Sequence, residues 1–410
     1  MSIPKQKPDL PITITPLQEE DLESFYRLQR EAFHVTKPFM QELVKNRGQE
    51  SFVVVRLRDE ATIAAAAGVL PMAQWFGGVA VPTTGISSVS VASPYRGSGV
   101  GLAMMRRLLQ RMHADGVPLS TLYPASYPFY GRVGYGVAGH HIGYELALAA
   151  IPREKQEPSL DVCQLTADIT EYLQGPYTHR AQVSNGHLDR PAWVWQQYLQ
   201  PDDPEQKTHF AYLIQREGQP EGYAILNHER TTHAHLRAVD LCVLTPAAAL
   251  CILNLLAGAS TMVEHAEWTA GINDLFVCMA REKLMGTIHQ AVRVKDMLEW
   301  MLRIVCVDRA LQLRGYPVGL QAELHLDIRD DVLPANNGRI VLHIADGKAE
   351  VQAGGTGRIR LDIRHLASLY SGFFAPTDLV ARGLLEAPEE DLALLTAAFA
   401  GPRPWMPDMF

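Results

Sequence analysis

Along this chain the spacing of apolar residues alternates between a period of two and a period near 3.6, and the clearest switch falls at residues 87–113. Residues 87–92 (SSVSVA) set small polar residues against Val89 and Val91, which predicts a half-buried strand that Pro94 ends. Leu102, Met105, Leu109 and Met112, joined by Leu108, then recur at three- and four-residue steps. Arg106, Arg107, Gln110 and Arg111 fill the opposite side, so a helix with one buried face is predicted. Between strand and helix stand Arg96, Gly97, Ser98, Gly99, Val100 and Gly101. Small residues there let the backbone approach a ligand, and the first helical amides lack intrahelical partners, so the turn suits an anion such as a pyrophosphate. The same glycines also satisfy a tight strand-to-helix turn that holds no ligand.

The other elements follow from the same two periods. Residues 12–15 predict a first strand, and Leu22, Phe25, Leu28, Gln29 and Phe33 an amphipathic helix behind an acidic first turn. Strands are predicted at 51–58 and 62–72 about the Asp59–Glu60 turn, and 79–81 leads through Pro82 and Gly85 to the strand above. After a short strand at 119–123 comes an aromatic segment, 123–136 (YPASYPFYGRVGYG), predicted as a short helix and a return strand. By residue type alone its rings belong to a core. A strand at 139–149 and the polar, proline-bounded stretch 151–158 close a first domain, 1–152. Residues 160–292 echo it: a helical stretch with Trp193 and Trp195, paired strands at 210–216 and 222–227, and a strand at 236–244 entering an apolar helix. In place of the glycine turn stand Thr245, Pro246, Ala247, Ala248 and Ala249, so this unit has no anion cradle. A third domain, 294–400, predicts a helix at 301–314, alternating strands at 320–328 and 340–344, a hairpin of 348–352 with 357–363, and three helices. The fold class is therefore α+β, a mixed α/β chain of three domains.

Composition narrows the function. A formal charge of −8 argues against general nucleic-acid binding and favours a cationic small substrate. With neither a signal-peptide core nor an apolar run of membrane length, the expectation is a cytoplasmic protein with no membrane partner. Cys163, Cys242, Cys251, Cys278 and Cys306 form no CxxC pair and read as buried free thiols, with no metal site. The last residues, 401–410 (GPRPWMPDMF), combine three prolines with Trp405, Met406, Met409 and Phe410, which predicts a docked tail.

Nucleotide-binding folds fit the turn poorly, because no Gly-Lys-Ser/Thr follows and the third glycine of a dinucleotide fingerprint would fall on Leu102 or Met104. Arg96-x-x-Gly99-x-Gly101 after a valine-rich strand instead resembles the acyl-coenzyme-A motif of the GNAT acetyltransferase superfamily. Residues 129–135 (FYGRVGY) resemble the YGRFGYG segment of the Eis family within it. The resemblance implies tandem GNAT folds, the second lacking the coenzyme turn, then a sterol-carrier-protein-2-like domain, with 401–410 threaded into the first domain's site. It implies acetyl-coenzyme A held by Arg96, Gly97, Ser98, Gly99, Val100, Gly101 and Leu102, by the strand end Val89, Ser90 and Val91, and by Ala125 and Ser126. Tyr130 would be the general acid and the terminal carboxylate of Phe410 the general base, with no metal. A homo-oligomer, a hexamer as in Eis relatives, is implied as well.

The expected reaction is acetyl transfer to a primary amine of a small cationic acceptor, aminoglycoside- or polyamine-like. A substrate ammonium must first lose a proton, which a carboxylate accepts, and the departing thiolate needs one, which a neutral phenol supplies. His34, Trp75 and Phe76 are candidates to line the acceptor pocket. The tail carries Met409 at the penultimate position, leaving Asp408 as the acidic group to hold a cation. Two alternatives remain: acetylation of protein lysines, and an inactive lipid- or ligand-binding protein that uses its C-terminal domain.

Overall fold

The structure is a computed structural model that describes residues 10–57, 62–152, 157, 159–167, 169–199, 209–229, 235–284 and 291–410. The predicted Asp59–Glu60 turn lies outside the described residues, as does most of the boundary stretch 151–158. Among the described residues no helix is long and apolar enough to cross a membrane.

In chain order the first unit contains β1 (Ile12–Pro16), α1 (Leu22–Phe33), α2 (Lys37–Arg47), β2 (Phe52–Leu57), β3 (Ala65–Phe76), β4 (Val79–Val91), α3 (Val100–Ala114), β5 (Leu119–Leu122), α4 (Tyr127–Gly131) and β6 (Gly136–Ala147). The second contains β7 (Leu160–Leu165), α5 (Ile169–Gln182), β8 (Leu188–Asp189), α6 (Ala192–Leu199), β9 (His209–Arg216), β10 (Gln219–Glu229), β11 (His235–Val243), α7 (Pro246–Gly258), β12 (His265–Ala270), α8 (Leu275–Lys283) and β13 (Val292–Ile304). Their strands form one continuous sheet, β1-β2-β3-β4-β5-β13-β6-β12-β11-β10-β9-β7, with β8 added to β3.

The continuity comes from an exchange of strands. The C-terminal end of β13 runs antiparallel to β5, from Met301 opposite Leu122 to Ile304 opposite Leu119. The C-terminal end of β6 runs antiparallel to β12, from Ile142 opposite Ala270 to Ala147 opposite His265. Between these two pairings, β6 and β13 pair with each other from Leu146 opposite Val292 to Gly136 opposite Leu302. Each unit thus completes its sheet with the last strand of the other. Both faces of the sheet are covered, so β2 reads as the uninterrupted run FVVV rather than as an alternation. Phe52 and Val54 pack beneath α1 and α2, whereas Val53 and Val55 pack beneath α3. In the second unit α5 covers one face, and α7 with α8 the other.

The third unit contains α9 (Val307–Leu313), β14 (Ala322–Arg329), β15 (Gly338–Ala345), β16 (Lys348–Ala353), β17 (Ile359–Asp362), α10 (Ile363–Ser371), α11 (Pro376–Ala381), β18 (Leu385–Glu386) and α12 (Glu389–Ala398). Its sheet runs β16-β15-β14-β17-β18, so β16 and β17 lie on opposite sides of β14 and are not the hairpin predicted from sequence.

One domain boundary also falls elsewhere than expected. Residues on both sides of the predicted break at 292–294 belong to the single strand β13, and the predicted helix 301–314 is strand up to Ile304 and helix only from Val307 to Leu313. Trp300, Met301, Leu302, Ile304 and Val305 are all buried, and a fully buried run has no periodicity that separates strand from helix. Arg303, which gave the run a polar side, is itself fully buried. Its Nη2 donates to both carboxylate oxygens of Asp330, at 2.8 and 2.6 Å. Asp330 also accepts from the Val332 and Leu333 amides and from Asn336 Nδ2, so the pair ties β13 to the third unit.

Removing one partner of such a pair leaves the other charge buried and uncompensated. Arg303→Met is expected to destabilise the protein by about 3–5 kcal/mol, read as an earlier transition in denaturant-induced unfolding. An unaltered transition would contradict a buried, coupled pair.

Candidate active site

The site begins where two neighbouring strands part. β4 pairs with β3 as far as Val91, but on its other side it meets β5 only at Thr83, Thr84 and Gly85. Beyond Gly85 the edge of β4 that faced β5 has no strand partner among the described residues, which leaves backbone groups free to bond a ligand. The same segment carries a bulge. Ser90 stands opposite Ala66 and Ser87 opposite Gly68, so Ser88 and Val89 together face Ala67, and Ser88 takes φ of 51°. Gln29 of α1, fully buried, donates from Nε2 to the Ser88 carbonyl at 3.1 Å and to Ser90 Oγ at 2.9 Å, which fixes the bulge. From sequence alone Gln29 reads only as a helix position.

The glycine turn follows directly. Arg96 Nε donates to the Val91 carbonyl at 3.2 Å, and Ser98 donates its hydroxyl to the Tyr95 carbonyl at 2.6 Å. Gly97 and Gly99 have φ of 75° and 97°, where a side chain is strained, and a Cβ on Gly97 would meet nothing within 4 Å, so the turn opens on free space. Gly101 is needed for a different reason. Its Cβ would lie 3.2 Å from Val91 Cγ2 and 3.3 Å from Phe129 Cζ, so even an alanine would have to push the side chains of β4 and α4 back by a few tenths of an ångström. Gly99 is the N-cap of α3, and no acidic residue occupies the first turn of that helix. The positive end of its dipole therefore faces the open turn, with the Val100, Gly101 and Leu102 amides in the first turn. Ala125 and Ser126, both exposed, follow the end of β5 on the far side of the parting strands, and Ser126 is the N-cap of α4. This arrangement fits an extended thioester arm along β4 and a pyrophosphate at the turn.

Tyr130 lies in α4 and is nearly buried, its ring perpendicular to Phe129 at 4.9 Å and 5.9 Å from Tyr135. It packs in the cluster that Val89 and Val91 border. Burial pushes its phenol up to about 12, so the group stays protonated through the neutral range. Gly134, in the same segment, has φ of 86°, and its Cβ would lie 2.8 Å from the Arg303 guanidinium carbon.

The C-terminal tail reaches this place from the second unit. Trp405 N donates to the Asn185 carbonyl at 3.1 Å, Met406 N to the His140 carbonyl at 3.0 Å, and His140 N to the Pro404 carbonyl at 3.2 Å. Asp408, almost inaccessible, accepts from Arg190 Nε at 2.8 Å, Tyr198 Oη at 2.9 Å and Tyr177 Oη at 3.1 Å. Arg190 turns its other nitrogens to Asp240 of β11, at 2.6 and 3.2 Å, and its guanidinium lies 3.8 Å from the Tyr177 ring centre. Burial alone would raise the Asp240 carboxyl, but Arg190 outweighs it and holds the group below the usual carboxylate range. Tyr123 Oη donates to the Asp408 carbonyl at 2.9 Å, and its ring meets that of Phe410 edge-on at 5.9 Å. A Cβ on Gly85 would lie 3.0 Å from Phe410 Cε2. The last side chain of the protein thus ends over the residue at which β4 and β5 separate.

Several expectations are corrected here. Asp408 is not free to hold a substrate cation, because it is buried and its oxygens are taken by Arg190, Tyr177 and Tyr198. Phe76 is fully buried against Tyr370 at 5.1 Å, Trp75 packs with Tyr177 and Trp195, and His34 is the left-handed cap of α1. The apolar side chains shown beside Phe410 are instead Tyr123 and, over Gly85, Met72.

The second unit repeats the parting of strands but fills it. β11 pairs with β12 only from His235 to Ala238. Beyond that point Arg180 of α5 donates to the Leu241 carbonyl, and its guanidinium lies 5.4 Å from the ring centre of Trp405. At the start of α7, Thr245 Oγ1 caps the Ala248 amide at 3.1 Å and donates to Glu221 at 2.5 Å, so a side-chain cap and a nearby carboxylate replace the open glycine turn. Among the described residues no group of His, Cys, Asp or Glu side chains is arranged to hold a metal ion.

Comparison with known proteins agrees with this architecture. Acetyltransferase (GNAT) domain families match residues 13–138 and 186–304, and a sterol carrier protein domain matches 307–407. The second match runs to the end of β13, as the strand exchange requires. The crystal structure of a GCN5-related N-acetyltransferase from Anabaena variabilis is 33% identical, covers 97% of this chain and 100% of its own, and superposes with a TM-score of 0.89. N-acetyltransferase Eis of Mycobacterium tuberculosis is 29% identical over 341 residues, 80% of either chain. Eis1 from Mycobacterium abscessus, at 20% identity and a TM-score of 0.76 over 97% of this chain, has the same fold. The chain belongs to the GCN5-related N-acetyltransferases of the Eis type, acyltransferases with two GNAT folds followed by a sterol-carrier-type domain.

Proposed function

We propose that this enzyme moves the acetyl group of acetyl-coenzyme A to a primary amine, with Phe410 and Tyr130 dividing the proton transfers. The observation that carries this reading is the end of the chain. Phe410 lies over Gly85, at the point where β4 frees its edge for an extended thioester. The pyrophosphate is held at the turn from Arg96 to Leu102, and the pantetheine arm pairs with the free edge at Val89, Ser90 and Val91. Ala125 and Ser126 close the opposite side. The terminal carboxylate, brought in by a tail that is pinned through Asp408, takes the ammonium proton of the acceptor. The amine then attacks the thioester carbon. As the tetrahedral intermediate collapses, Tyr130 gives its phenolic proton to the leaving sulfur. A phenol raised by burial is protonated at every working pH, as an acid must be. The second unit, whose strand parting is filled by Arg180 and Trp405, binds no coenzyme in this reading.

Gly99→Glu is expected to abolish coenzyme binding in a folded protein, since it forces a side chain into positive φ and sets a carboxylate against the pyrophosphate. Undiminished affinity by calorimetry would reduce the turn to geometry alone.

Tyr130→Phe keeps the ring and removes the proton. Turnover should fall by about 10²–10⁴ with coenzyme affinity retained. In the wild type the acid form is lost only as pH rises towards about 12, so no alkaline decline from this group is expected below about pH 11. Full turnover of the variant under chemistry-limited conditions would return Tyr130 to the core.

For the base, converting the Phe410 carboxylate to an amide, or appending residues to it, should lower turnover by about 10²-fold or more. Deleting Phe410 moves the terminus by about 3.5 Å and should act alike. An extended enzyme of full activity would mean that the base is elsewhere.

A further inference from the structure

Arg47, the last residue of α2, has no use in the mechanism above. Its Nη1 donates to Ser87 Oγ of β4 at 3.3 Å, and its guanidinium lies 5.0 Å from the ring centre of Trp193 of α6. Neither neighbour carries charge. Among the described residues no carboxylate pairs with Arg47, although the chain as a whole is acidic. Burial, with no opposing charge beside it, brings the guanidinium down to about 10. A partly buried cation without a counter-ion is costly, and a group so perturbed at the edge of a site is a candidate ligand-binding group.

The position is more telling than the charge. Leu70 stands opposite Gly85 and Gly68 opposite Ser87, so this stretch of β4 is regular and the bulge begins after it. Gly85 and Ser87 therefore face the same side of the sheet, about 7 Å apart along the strand. Phe410 lies over the first, and Arg47 is bonded to the second. Trp193 lies beneath Arg47, and Met72 and Phe410 meet over Gly85. An acceptor whose amine meets the terminal carboxylate would lie along this strip, with its far end at Arg47.

We infer that the acceptor carries an oxyanion, a carboxylate or a phosphate, at the end away from its reacting amine, and that Arg47 binds that group. The inference rests on the acetyl-transfer reading and replaces the expectation of a purely cationic acceptor. The tail's acidic residue is already taken by Arg190, and the unpaired charge on the acceptor side is positive.

The test uses full-length enzyme and ω-amino carboxylates of increasing length, each matched with its amide, together with aminoalkyl phosphates matched with the corresponding alcohols. In the wild type kcat/KM should be higher for the oxyanion member by about ten- to a hundredfold, and the better series identifies the anion. Arg47→Met should bring this ratio towards one, and Arg47→Lys should keep part of it, as a charge without the fork. Wild-type enzyme that acetylates both members with a ratio near one would overturn the assignment and leave acetyl transfer standing. An Arg47→Met enzyme with the wild-type ratio would also overturn it, including the case where both members lose rate equally. Acetylation of neither member by the wild type would overturn both readings.

Discussion

The guanidinium of Arg190, held between Asp240 on β11 and Asp408 on the tail, is the interaction on which the rest of the structure depends. All three groups are buried, so the attraction is not screened by solvent, and tyrosine hydroxyls occupy remaining acceptor positions: Tyr223 on Asp240, Tyr177 and Tyr198 on Asp408. Breaking such a pair is expected to be far more costly than a surface ion pair would suggest. Because Asp240 titrates below the ordinary aspartate range, its contribution is present above that range and is lost only as pH falls through the depressed value. A chain end is otherwise the most mobile part of a protein, and this one is immobilised two residues before its last.

That clamp explains why a second GNAT fold without a coenzyme site persists in the chain. Asp240, Tyr223, Arg190 and Tyr177 all come from the second unit, and the parting of β11 from β12, which in the first unit is left open, is closed by Arg180 and Trp405. A Cβ on Gly271, just past β12, would meet the Trp405 ring at 2.5 Å, so the second unit is shaped to the tail. The exchange of β6 and β13 then puts the two partings into one sheet, with β5, β13, β6 and β12 between them. The tail spans them, Trp405 in one and Phe410 at the other, and the rigidity of the sheet sets the distance between them.

Much of this was legible in the sequence, and what was not has a common cause. The turn at Arg96–Gly101 and helix α3 are local, since dihedral demands and a 3.6-residue stripe sit within a few residues of one another. The clamp is not local: Arg190 is 218 residues from Asp408, and nothing near either position marks it. Helix α5, which supplies Tyr177 and Arg180, contains Gly175 and Pro176, turn signals that tertiary packing overrides. Helix α2, which supplies Arg47, buries only Met40 and Val44, too few for a clear stripe. The helix expected over 301–314 begins late because its first residues are buried strand, where Arg303 is matched by Asp330 of another unit. Expectations about the acceptor failed at the same kind of point. Asp408 looked free in sequence because Arg190 is distant, and Trp75 and Phe76 looked like pocket rings because the cores that absorb them belong to α5 and α10.

Placing the base at the chain terminus has a consequence for how activity arises. In the proposed reading the site in the first unit is completed by the last residue, and that residue is held by the second unit. Asn185, Arg190 and Asp240 must already be folded for Trp405 and Asp408 to dock, and α12 of the third unit delivers the chain to Asn185 through Pro402, whose carbonyl accepts from Asn185 Nδ2 at 3.3 Å. The coenzyme turn, by contrast, is built from residues within the first unit alone. On that reading coenzyme binding and turnover depend on different parts of the fold: loosening the clamp would lower turnover while the turn between Arg96 and Leu102 kept its shape. On that reading catalysis is a property of the three units together, even though every group proposed to touch the coenzyme lies in the first.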